Sequence, residues 1–233
     1  MGRQLKKYRM NDMNTDNGMD LINTDDGLVL KMGNMTVKAD FSSLKSRVEK
    51  NRLNGEMLIK AVGVKNIKPG VTVVDATAGL GEDSFLLAAS GLKVIMYEKD
   101  EVIADLLSDG LKRAKDDPEL ITIVSRMELR CEDSIKAMEE RNIEADIIYL
   151  DPMFPQRSKS GLIKKKFQLL QRLESPCEDG KRMLMAALNA TSGKVIVKRP
   201  LKGEYISDLK PSYSIKGRAI RYDCYIKESI KLN

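Results

Sequence analysis

Apolar residues along this chain alternate between short β-branched runs and longer stretches with helical spacing. The runs at 71–75, 93–97 and 145–150 predict strands buried in a parallel sheet. Between the first two and after the second, residues 82–89 and 100–115 repeat apolar positions at helical spacing and predict helices. Strands that alternate with helices predict an α/β domain on a mainly parallel sheet.

The second half of the chain continues this alternation and then ends differently. Residues 127–131 predict a third strand, and residues 183–190 predict a helix before another strand at 194–197. The segments 213–216 and 219–227 predict two final strands around a glycine turn. We therefore expect a sheet of seven strands that finishes with an antiparallel pair.

The first sixty residues predict a small N-terminal extension or subdomain, residues 1–60, ahead of a larger domain at 61–233. Residues 28–41 contain two partly apolar runs around the turn dipeptide Gly33-Asn34, which predicts a β-hairpin. Ser42-Ser43 is expected to cap a helix over 44–62. The polar residues before the hairpin fit either a mobile arm or a short ordered extension.

The turn after the first central strand carries the first candidate site. The strand ends at Asp75, the turn contains Gly79 and Gly81, and Glu82 and Asp83 begin the helix. A strand, a glycine turn and a helix N-terminus form a nucleotide-type site at the carboxyl end of a sheet. The third glycine of the dinucleotide fingerprint is missing, and two acids there would repel a pyrophosphate. A ligand with a cationic centre and ribose hydroxyls fits better, which favours S-adenosylmethionine over NAD or ATP. The spacing of Asp75, Gly79 and Gly81 is the motif of class I methyltransferases. A tight turn without a ligand is the alternative.

Acidic residues at two further strand ends extend this predicted cofactor site. Glu98 ends the second strand, 17 residues beyond Gly81, where a carboxylate can accept from two ribose hydroxyls. A helix N-cap is the alternative for Glu98. Asp133-Ser134 follows the third strand, where Asp133 can accept from the amino group of adenine. Helix capping would equally explain an aspartate at that position.

The sequence Asp151-Pro152-Met153-Phe154-Pro155 ends another strand and carries the second candidate site. Class I enzymes that methylate a planar exocyclic nitrogen have Asp/Asn-Pro-Pro-Tyr/Phe at this place. The lone pair of that nitrogen is delocalised, so it is a poor nucleophile. Asp151 and the Pro152 carbonyl can hold its hydrogens, and Phe154 can stack on an extruded base. A proline-bounded loop without chemistry is the alternative.

Composition narrows the chemistry. The chain has no histidine, which excludes Ser-His-Asp and Cys-His catalysis and imidazole general bases. Its three cysteines have no metal-ligand spacing, so we predict no metal site. The remaining candidates are carboxylates, lysines, tyrosines and a cofactor that carries its own leaving group, as a sulfonium does.

Charge and hydropathy bear on partners and location. Forty Lys and Arg against 34 Asp and Glu give a net charge of +6, compatible with a nucleic-acid partner. No apolar run approaches the ~20 residues of a membrane span, and the N-terminus lacks a signal-peptide core, so we predict no membrane contact and a cytoplasmic location. Basic residues after the second motif and at 198–199 are expected to grip phosphates, although exposed lysines are usually only solvated. The predicted RNA contacts are Arg157, Lys159, Lys164, Lys165, Lys166, Lys198 and Arg199.

This chain resembles the bacterial ribosomal RNA small-subunit methyltransferase J family over roughly residues 35–226. The matching stretches are 73–81, 106–111, 149–155 and 197–200. The resemblance implies a Rossmann-like class I fold and methyl transfer from S-adenosylmethionine to the 2-amino group of a guanine in small-subunit (16S) ribosomal RNA. The expected partner is then ribosomal RNA or the small ribosomal subunit. The resemblance places cofactor contacts on Glu82-Asp83, Glu98-Lys99, Asp133-Ser134 and Asp151.

One segment departs from that family and leaves the substrate open. The family has a basic, glycine-rich segment with a histidine where this chain has residues 46–55. Methylation of another RNA, of a protein amide or of a small molecule are alternatives among enzymes. A non-catalytic RNA-binding module with the same fold is the alternative outside them.

Overall fold

Two β-sheets organise the residues that the computed structural model describes, namely 14–15, 19–64, 70–141, 143–152 and 180–229. Within these residues the strands are β1 Asn14–Thr15, β2 Met19–Thr24, β3 Gly27–Met32, β4 Met35–Val37, β5 Thr72–Asp75, β6 Lys93–Tyr97, β7 Met127–Arg130, β8 Ala145–Leu150, β9 Thr191–Pro200, β10 Tyr213–Lys216 and β11 Ile220–Ile226. The helices are α1 Lys45–Val48, α2 Lys50–Leu53, α3 Met57–Val62, α4 Glu82–Ala89, α5 Glu101–Lys115, α6 Ile121–Val124, α7 Ser134–Glu139 and α8 Gly180–Ala190.

The larger sheet has seven strands in the order β10-β11-β9-β8-β5-β6-β7. Strands β7, β6, β5, β8 and β9 are parallel, β11 pairs antiparallel with β9, and β10 pairs antiparallel with β11. The predicted Rossmann-like sheet of seven strands with an antiparallel end is therefore confirmed. The predicted helices 82–89 and 100–115 and the predicted strand 93–97 are confirmed as well.

Helices cover both faces of this sheet because its central strands are apolar on both sides. Val73 packs with Phe85 and Leu87 on one face, where α3, α4 and α6 lie. Val74, its neighbour in sequence, packs on the other face, with side chains of α7 and α8 such as Leu184. Successive side chains of a strand point to opposite faces, so a β-branched run without polar alternation fits a strand buried on both sides.

The carboxyl ends of the parallel strands meet at one edge of the sheet, which we call the carboxyl edge. Asp75, Glu98, Cys131 and Asp151 end or follow β5, β6, β7 and β8 there, and Pro200 ends β9. The first motif and the second motif thus lie on neighbouring strands, because β5 pairs directly with β8.

The predicted hairpin is confirmed as β3 and β4, joined through Gly33 in the left-handed region at φ 57°. It belongs to a four-stranded sheet in the order β1-β2-β3-β4, which the polar sequence before residue 28 did not reveal. Leu30 and Val37 of this sheet pack with Ile103 and Leu106 of α5. Whether residues 1–60 form a separate subdomain stays a prediction.

The predicted single helix over 44–62 is wrong. A short 3₁₀ turn over Ser42–Leu44 and the helices α1, α2 and α3 replace it, with extended backbone at Glu49 and Glu56 (ψ 133° and 131°). No residue of α1 is buried and α2 buries only Leu53, so no continuous apolar face supports one long helix. The predicted serine cap is also wrong, since both serine hydroxyls donate to oxygens of Asp40.

No helix among the described residues is long and apolar enough to cross a membrane.

Asp109 is a polar link from α5 to β3 of the smaller sheet, so its removal tests how much this contact stabilises the fold. Its Oδ2 accepts from the Leu28 backbone N–H at 3.0 Å and from Arg113 Nε at 2.7 Å. We expect Asp109→Ala to lower the free energy of unfolding by about 1–3 kcal/mol, because a partly buried N–H and a guanidinium lose their acceptor. Urea denaturation measures this loss, with Lys112→Ala on the exposed side of the same helix as the control. Equal midpoints for the two variants would contradict the prediction.

Candidate cofactor and catalytic site

The glycine turn after β5 is held against the two neighbouring strands. The Ala76 N–H donates to the Tyr149 carbonyl and the Ala78 N–H to the Tyr97 carbonyl, each at 3.0 Å. Gly79 and Gly81 both adopt left-handed backbone, at φ 54° and 77°, which favours glycine. A Cβ at Gly81 would lie 2.7 Å from Leu107 Cδ1, whereas a Cβ at Gly79 meets nothing within 4 Å. Gly81 is therefore needed for packing, and Gly79 borders open space where a ligand can approach the backbone.

Asp75 fixes the shape of this turn from below. Its carboxylate is buried, accepts from the Thr77 N–H at 3.1 Å, and accepts from the Ser84 hydroxyl at 2.6 Å. Burial raises the pKa of Asp75 to about 7, although the bonds from Ser84 and Thr77 oppose the rise. Asp75 thus ties the turn to the first turn of α4. Its contact with the cofactor stays a prediction.

Glu98 reaches back from the end of β6 to the glycine turn. Its Oε2 accepts from the Gly79 N–H at 3.0 Å and its Oε1 from the Asp100 N–H at 2.9 Å. Burial to 5% exposure raises the pKa of Glu98. The helix N-cap alternative is wrong, because Asp100 caps α5 by accepting from the Ile103 N–H. A carboxylate oxygen can accept more than one hydrogen bond, so Glu98 keeps capacity for ribose hydroxyls. Its predicted neighbour Lys99 is exposed.

Asp133 and Ser134 hold α7 in place at the same edge. Asp133 Oδ1 accepts from the backbone N–H groups of Ile135 and Lys136 at 2.9 and 3.1 Å, so the capping explanation is confirmed. Ser134 is buried, and its hydroxyl donates to the Ala76 carbonyl at 2.7 Å. This bond joins the start of α7 to the glycine turn. The contact of Asp133 with adenine stays a prediction.

Four side chains from distant parts of the chain form one charged network beside the turn. Lys198 Nζ donates to Asp83 Oδ2 at 2.7 Å and to Asp151 Oδ2 at 2.9 Å. The hydroxyl of Tyr149, which is fully buried, donates to the same Asp83 oxygen at 2.6 Å. Lys198 thereby bridges the first turn of α4 and the second motif.

The network sets the charge of each of its carboxylates. Although burial acts in the opposite direction, Lys198 and the Tyr149 hydroxyl lower the pKa of Asp83. Burial and the Asp83 charge raise the pKa of Asp151, while Lys198 opposes that rise. Although burial disfavours its charge, Lys198 has a raised pKa because Asp151 and Asp83 flank its ammonium. Asp83 is thus the ionised partner of Lys198, and Asp151 is the carboxylate that takes up a proton more readily.

Asp151 is presented at the end of β8 by its own backbone. Its N–H donates to Thr77 Oγ1 at 2.7 Å, which links the second motif to the glycine turn. Its side chain is 39% exposed, and no hydrogen bond reaches its Oδ1 within the described part of the chain. Pro152, which follows, is buried. One carboxylate oxygen is therefore fixed by Lys198 and the other is available to a substrate.

The structure brings together most of the predicted cofactor residues, but it tests none of the predicted RNA contacts. Glu82 is exposed beside Asp83. Lys198 belongs to the carboxylate network, and Arg199 is 7% exposed with its Nε donating to the Glu204 carbonyl at 2.9 Å. The RNA-binding roles of both stay predictions. Outside the described residues lie Phe154, Arg157, Lys159, Lys164, Lys165 and Lys166.

The segment 46–55, which departs from the resembling family, borders this network. Arg47 Nε donates to Glu56 Oε1 at 2.9 Å, and this bond raises the pKa of Arg47, with smaller contributions from the charges of Asp83 and Glu82. Arg47 and Arg52 line a cavity of about 420 Å³ together with Asp83 and Lys198. Changes in this segment therefore act directly on the surroundings of Asp83.

Sequence reasoning missed Thr77, Tyr149 and the bridging role of Lys198. One signal points to Tyr149 and another to Lys198. Tyr149 is a hydroxyl-bearing residue in an otherwise apolar strand, and a buried hydroxyl normally has a partner. Lys198 likewise follows the apolar run 195–197 at the end of a central strand, where a charge needs a counter-charge. Among the described residues, no group of three or more His, Cys, Asp or Glu is placed to hold a metal ion.

Methyltransferases are among the known proteins that this chain resembles. A family model described as "Putative SAM-dependent methyltransferase" matches residues 3–227. Ribosomal RNA small subunit methyltransferase J of Pseudomonas aeruginosa is 45% identical over 180 residues, covering 76% of this chain and 68% of that protein. Its namesake in Pseudomonas savastanoi is 42% identical over 222 residues, covering 91% and 81%. The crystal structure of a SAM-dependent methyltransferase from Neisseria gonorrhoeae is 31% identical with a TM-score of 0.76, covering 95% of this chain and 88% of that one.

Proposed function

The chain belongs to the ribosomal RNA small subunit methyltransferase J family of SAM-dependent methyltransferases, and on this premise we propose that it methylates the exocyclic 2-amino group of a guanine in small-subunit (16S) ribosomal RNA. The observation that carries the proposal is the partly exposed Asp151 carboxylate beside the glycine turn. Its Oδ2 accepts a hydrogen bond from Lys198, and its Oδ1 is available to a substrate. A partly exposed carboxylate with a raised pKa in a cleft is typical of an active site.

The residues of the carboxyl edge fit S-adenosylmethionine. Open space over Gly79 allows a ligand to contact the backbone, and Glu98 beside it offers acceptors to ribose hydroxyls. The acidic Glu82 and Asp83 at the start of α4 suit a cationic ligand and disfavour a pyrophosphate. When bound, S-adenosylmethionine supplies a methyl group that its sulfonium centre already activates.

Asp151 then has the task of orienting the amine. Its Oδ1 accepts a hydrogen of the amino group, and the Pro152 carbonyl accepts the other, so that the nitrogen lone pair points away from both acceptors. Lys198 holds Oδ2 and keeps the carboxylate from rotating. After transfer, the proton leaves the nitrogen to Asp151, whose raised pKa favours uptake, or to bulk water. Phe154 provides the proposed stacking surface for the extruded base.

Tritium transfer tests the proposal. Small ribosomal subunits from a strain that lacks this gene are incubated with the enzyme and methyl-labelled S-adenosylmethionine, and the labelled nucleotide is mapped. We expect about one methyl group per subunit, on N2 of a guanine, and none on subunits that already carry the modification. Label on a protein, on another RNA or on another base atom would contradict the proposed substrate. Measurable cofactor binding by calorimetry without transfer to either free RNA or subunits would contradict the proposed activity.

Glu98→Gln tests the cofactor side of the site. We expect the dissociation constant for S-adenosylmethionine to rise roughly tenfold to a hundredfold, because hydrogen bonds to a charged acceptor are worth about 1.5–3 kcal/mol. Calorimetry measures the constant, and Glu101→Gln, an exposed acid on the first turn of α5, is the matched control. Identical affinities for the two variants would remove Glu98 from the cofactor site.

A further inference from the structure

The segment after β9 and the turn between β10 and β11 lie side by side next to the catalytic carboxylate. Pro200 is opposite Ile220 in the β9–β11 pair, and the Leu201 N–H donates to the Ala219 carbonyl at 2.9 Å. Lys198, which contacts Asp151, precedes Pro200 by two residues, or about 7 Å along the strand. Both segments therefore border the mouth of the proposed active site.

This border carries exposed cations that form no ion pairs within the described part of the chain. Lys202, Lys216 and Arg218 are exposed, and none of them forms an ion pair with a described residue. The exposed residues of the segment 201–219 include four cations and two acids, an excess of two positive charges. Unpaired cations beside an active site favour an anionic substrate.

The aromatic ring of Tyr205, on the same segment as Lys202, is held by Arg221. The Arg221 guanidinium donates through Nη1 to the carbonyls of Pro200, Leu201 and Gly203 at 2.8–2.9 Å, which holds the segment in one shape. Arg221 also lies 5.0 Å from the ring centroid of Tyr205, which is 45% exposed. A large aromatic ring that is held from one side and exposed elsewhere is a stacking platform for a nucleobase.

We propose that Lys202, Tyr205, Lys216 and Arg218 form a second RNA-binding surface, the β9–β11 surface. It binds single-stranded RNA next to the target guanine, with the three cations on phosphates and Tyr205 stacked on a base. The proposal rests on the proposed function. It is separate from the predicted contacts at 157–166, because all four residues lie on other segments.

A triple variant, Lys202→Gln with Lys216→Gln and Arg218→Gln, tests the cations. We expect the KM for unmodified small subunits to rise roughly tenfold or more at physiological salt, with the loss in KM rather than in kcat. In a binding assay with transcribed, unmodified small-subunit ribosomal RNA, the slope of log K against log salt should fall by about 2, because each phosphate contact contributes about 0.7.

The matched control removes the same charge elsewhere. Lys93 begins β6 at the opposite edge of the sheet, and Lys112 and Lys115 lie in the last turns of α5; all three are exposed. The control triple Lys93→Gln, Lys112→Gln and Lys115→Gln separates local contacts from a general loss of net charge. Equal salt slopes and equal KM values for the two triples would overturn the β9–β11 surface.

Tyr205→Ala tests the stacking contact separately. We expect it to weaken RNA binding roughly fivefold or more without changing the salt slope, and we expect Tyr205→Phe to recover most of the affinity because the ring remains. If the wild-type enzyme methylates the subunits and Tyr205→Ala binds RNA as tightly as the wild type, the stacking role is contradicted and the proposed function stands. Failure of the wild-type enzyme to methylate any subunit would contradict the proposed function, and the RNA salt slopes would still report on the surface.

Discussion

Asp151→Ala is expected to lower the rate of methyl transfer by roughly 10³-fold while the protein stays folded and binds S-adenosylmethionine. The physical reason is that the alanine side chain cannot accept a hydrogen from the amino group or the proton that leaves after transfer. Since Lys198 keeps its ion pair with Asp83 and the backbone bond from residue 151 to Thr77 remains, we expect only a modest loss of stability. Single-turnover rates with saturating cofactor and subunits measure the effect on the reaction itself.

Two further variants make this result specific. Asp208→Asn changes an exposed acid in the segment after β9 and should leave the rate near that of the wild type. Asp151→Asn keeps one acceptor oxygen but loses the charge, so we expect it to retain more activity than Asp151→Ala. An alanine variant with the wild-type rate of methyl transfer would contradict the role of Asp151. Equal losses of rate in Asp151→Ala and Asp151→Asn would show that the negative charge is indispensable.

The larger sheet and the two motifs could be predicted from the sequence because they depend on short-range patterns of residues. β-Branched runs such as 71–75 bury both faces of a parallel strand, and the glycines at 79 and 81 occupy left-handed positions that other residues rarely adopt. Parallel strands end at one edge of a sheet, so both motifs were expected at the carboxyl edge, whereas the direct pairing of β5 with β8 is seen only in the structure.

The network around Asp83 could not be predicted in the same way. Its hydrogen bonds join residues separated by 66 positions, for Tyr149 and Asp83, and by 115 positions, for Lys198 and Asp83. Such pairs depend on side-chain directions that periodicity does not fix. Strand β2 was missed for a related reason. Its sequence contains Asp20 and Asn23, which disfavour strands locally, and pairing with β3 outweighs that preference.

Lys198→Met is expected to lower kcat roughly 10²-fold at neutral pH, although Lys198 need not touch the substrate. Its ammonium separates the Asp83 and Asp151 carboxylates, and methionine keeps the length of the side chain without the charge. Without Lys198, burial and the Asp83 charge raise the pKa of Asp151 further, because Lys198 lowers it more than Arg199 does. Asp151 must be ionised to accept from the amine, so activity rises with pH through its pKa. The acidic limb of the profile of kcat against pH should therefore move to higher pH.

A second substitution separates this electrostatic role from a purely structural one. Asp83→Asn in the Lys198→Met background removes the carboxylate that Lys198 neutralised, so the acidic limb should move back toward its original pH and part of the activity at neutral pH should return. Lys198→Arg keeps the positive charge and should leave the limb near its wild-type position. Urea denaturation of each variant checks the fold, because loss of one partner from a largely buried ion pair is destabilising. If Lys198→Met were inactive at every pH and Asp83→Asn restored nothing, Lys198 would only support the fold. If instead the acidic limb of the pH profile moves with the Asp83 charge, Lys198 is the residue that positions Asp151 and sets its pKa.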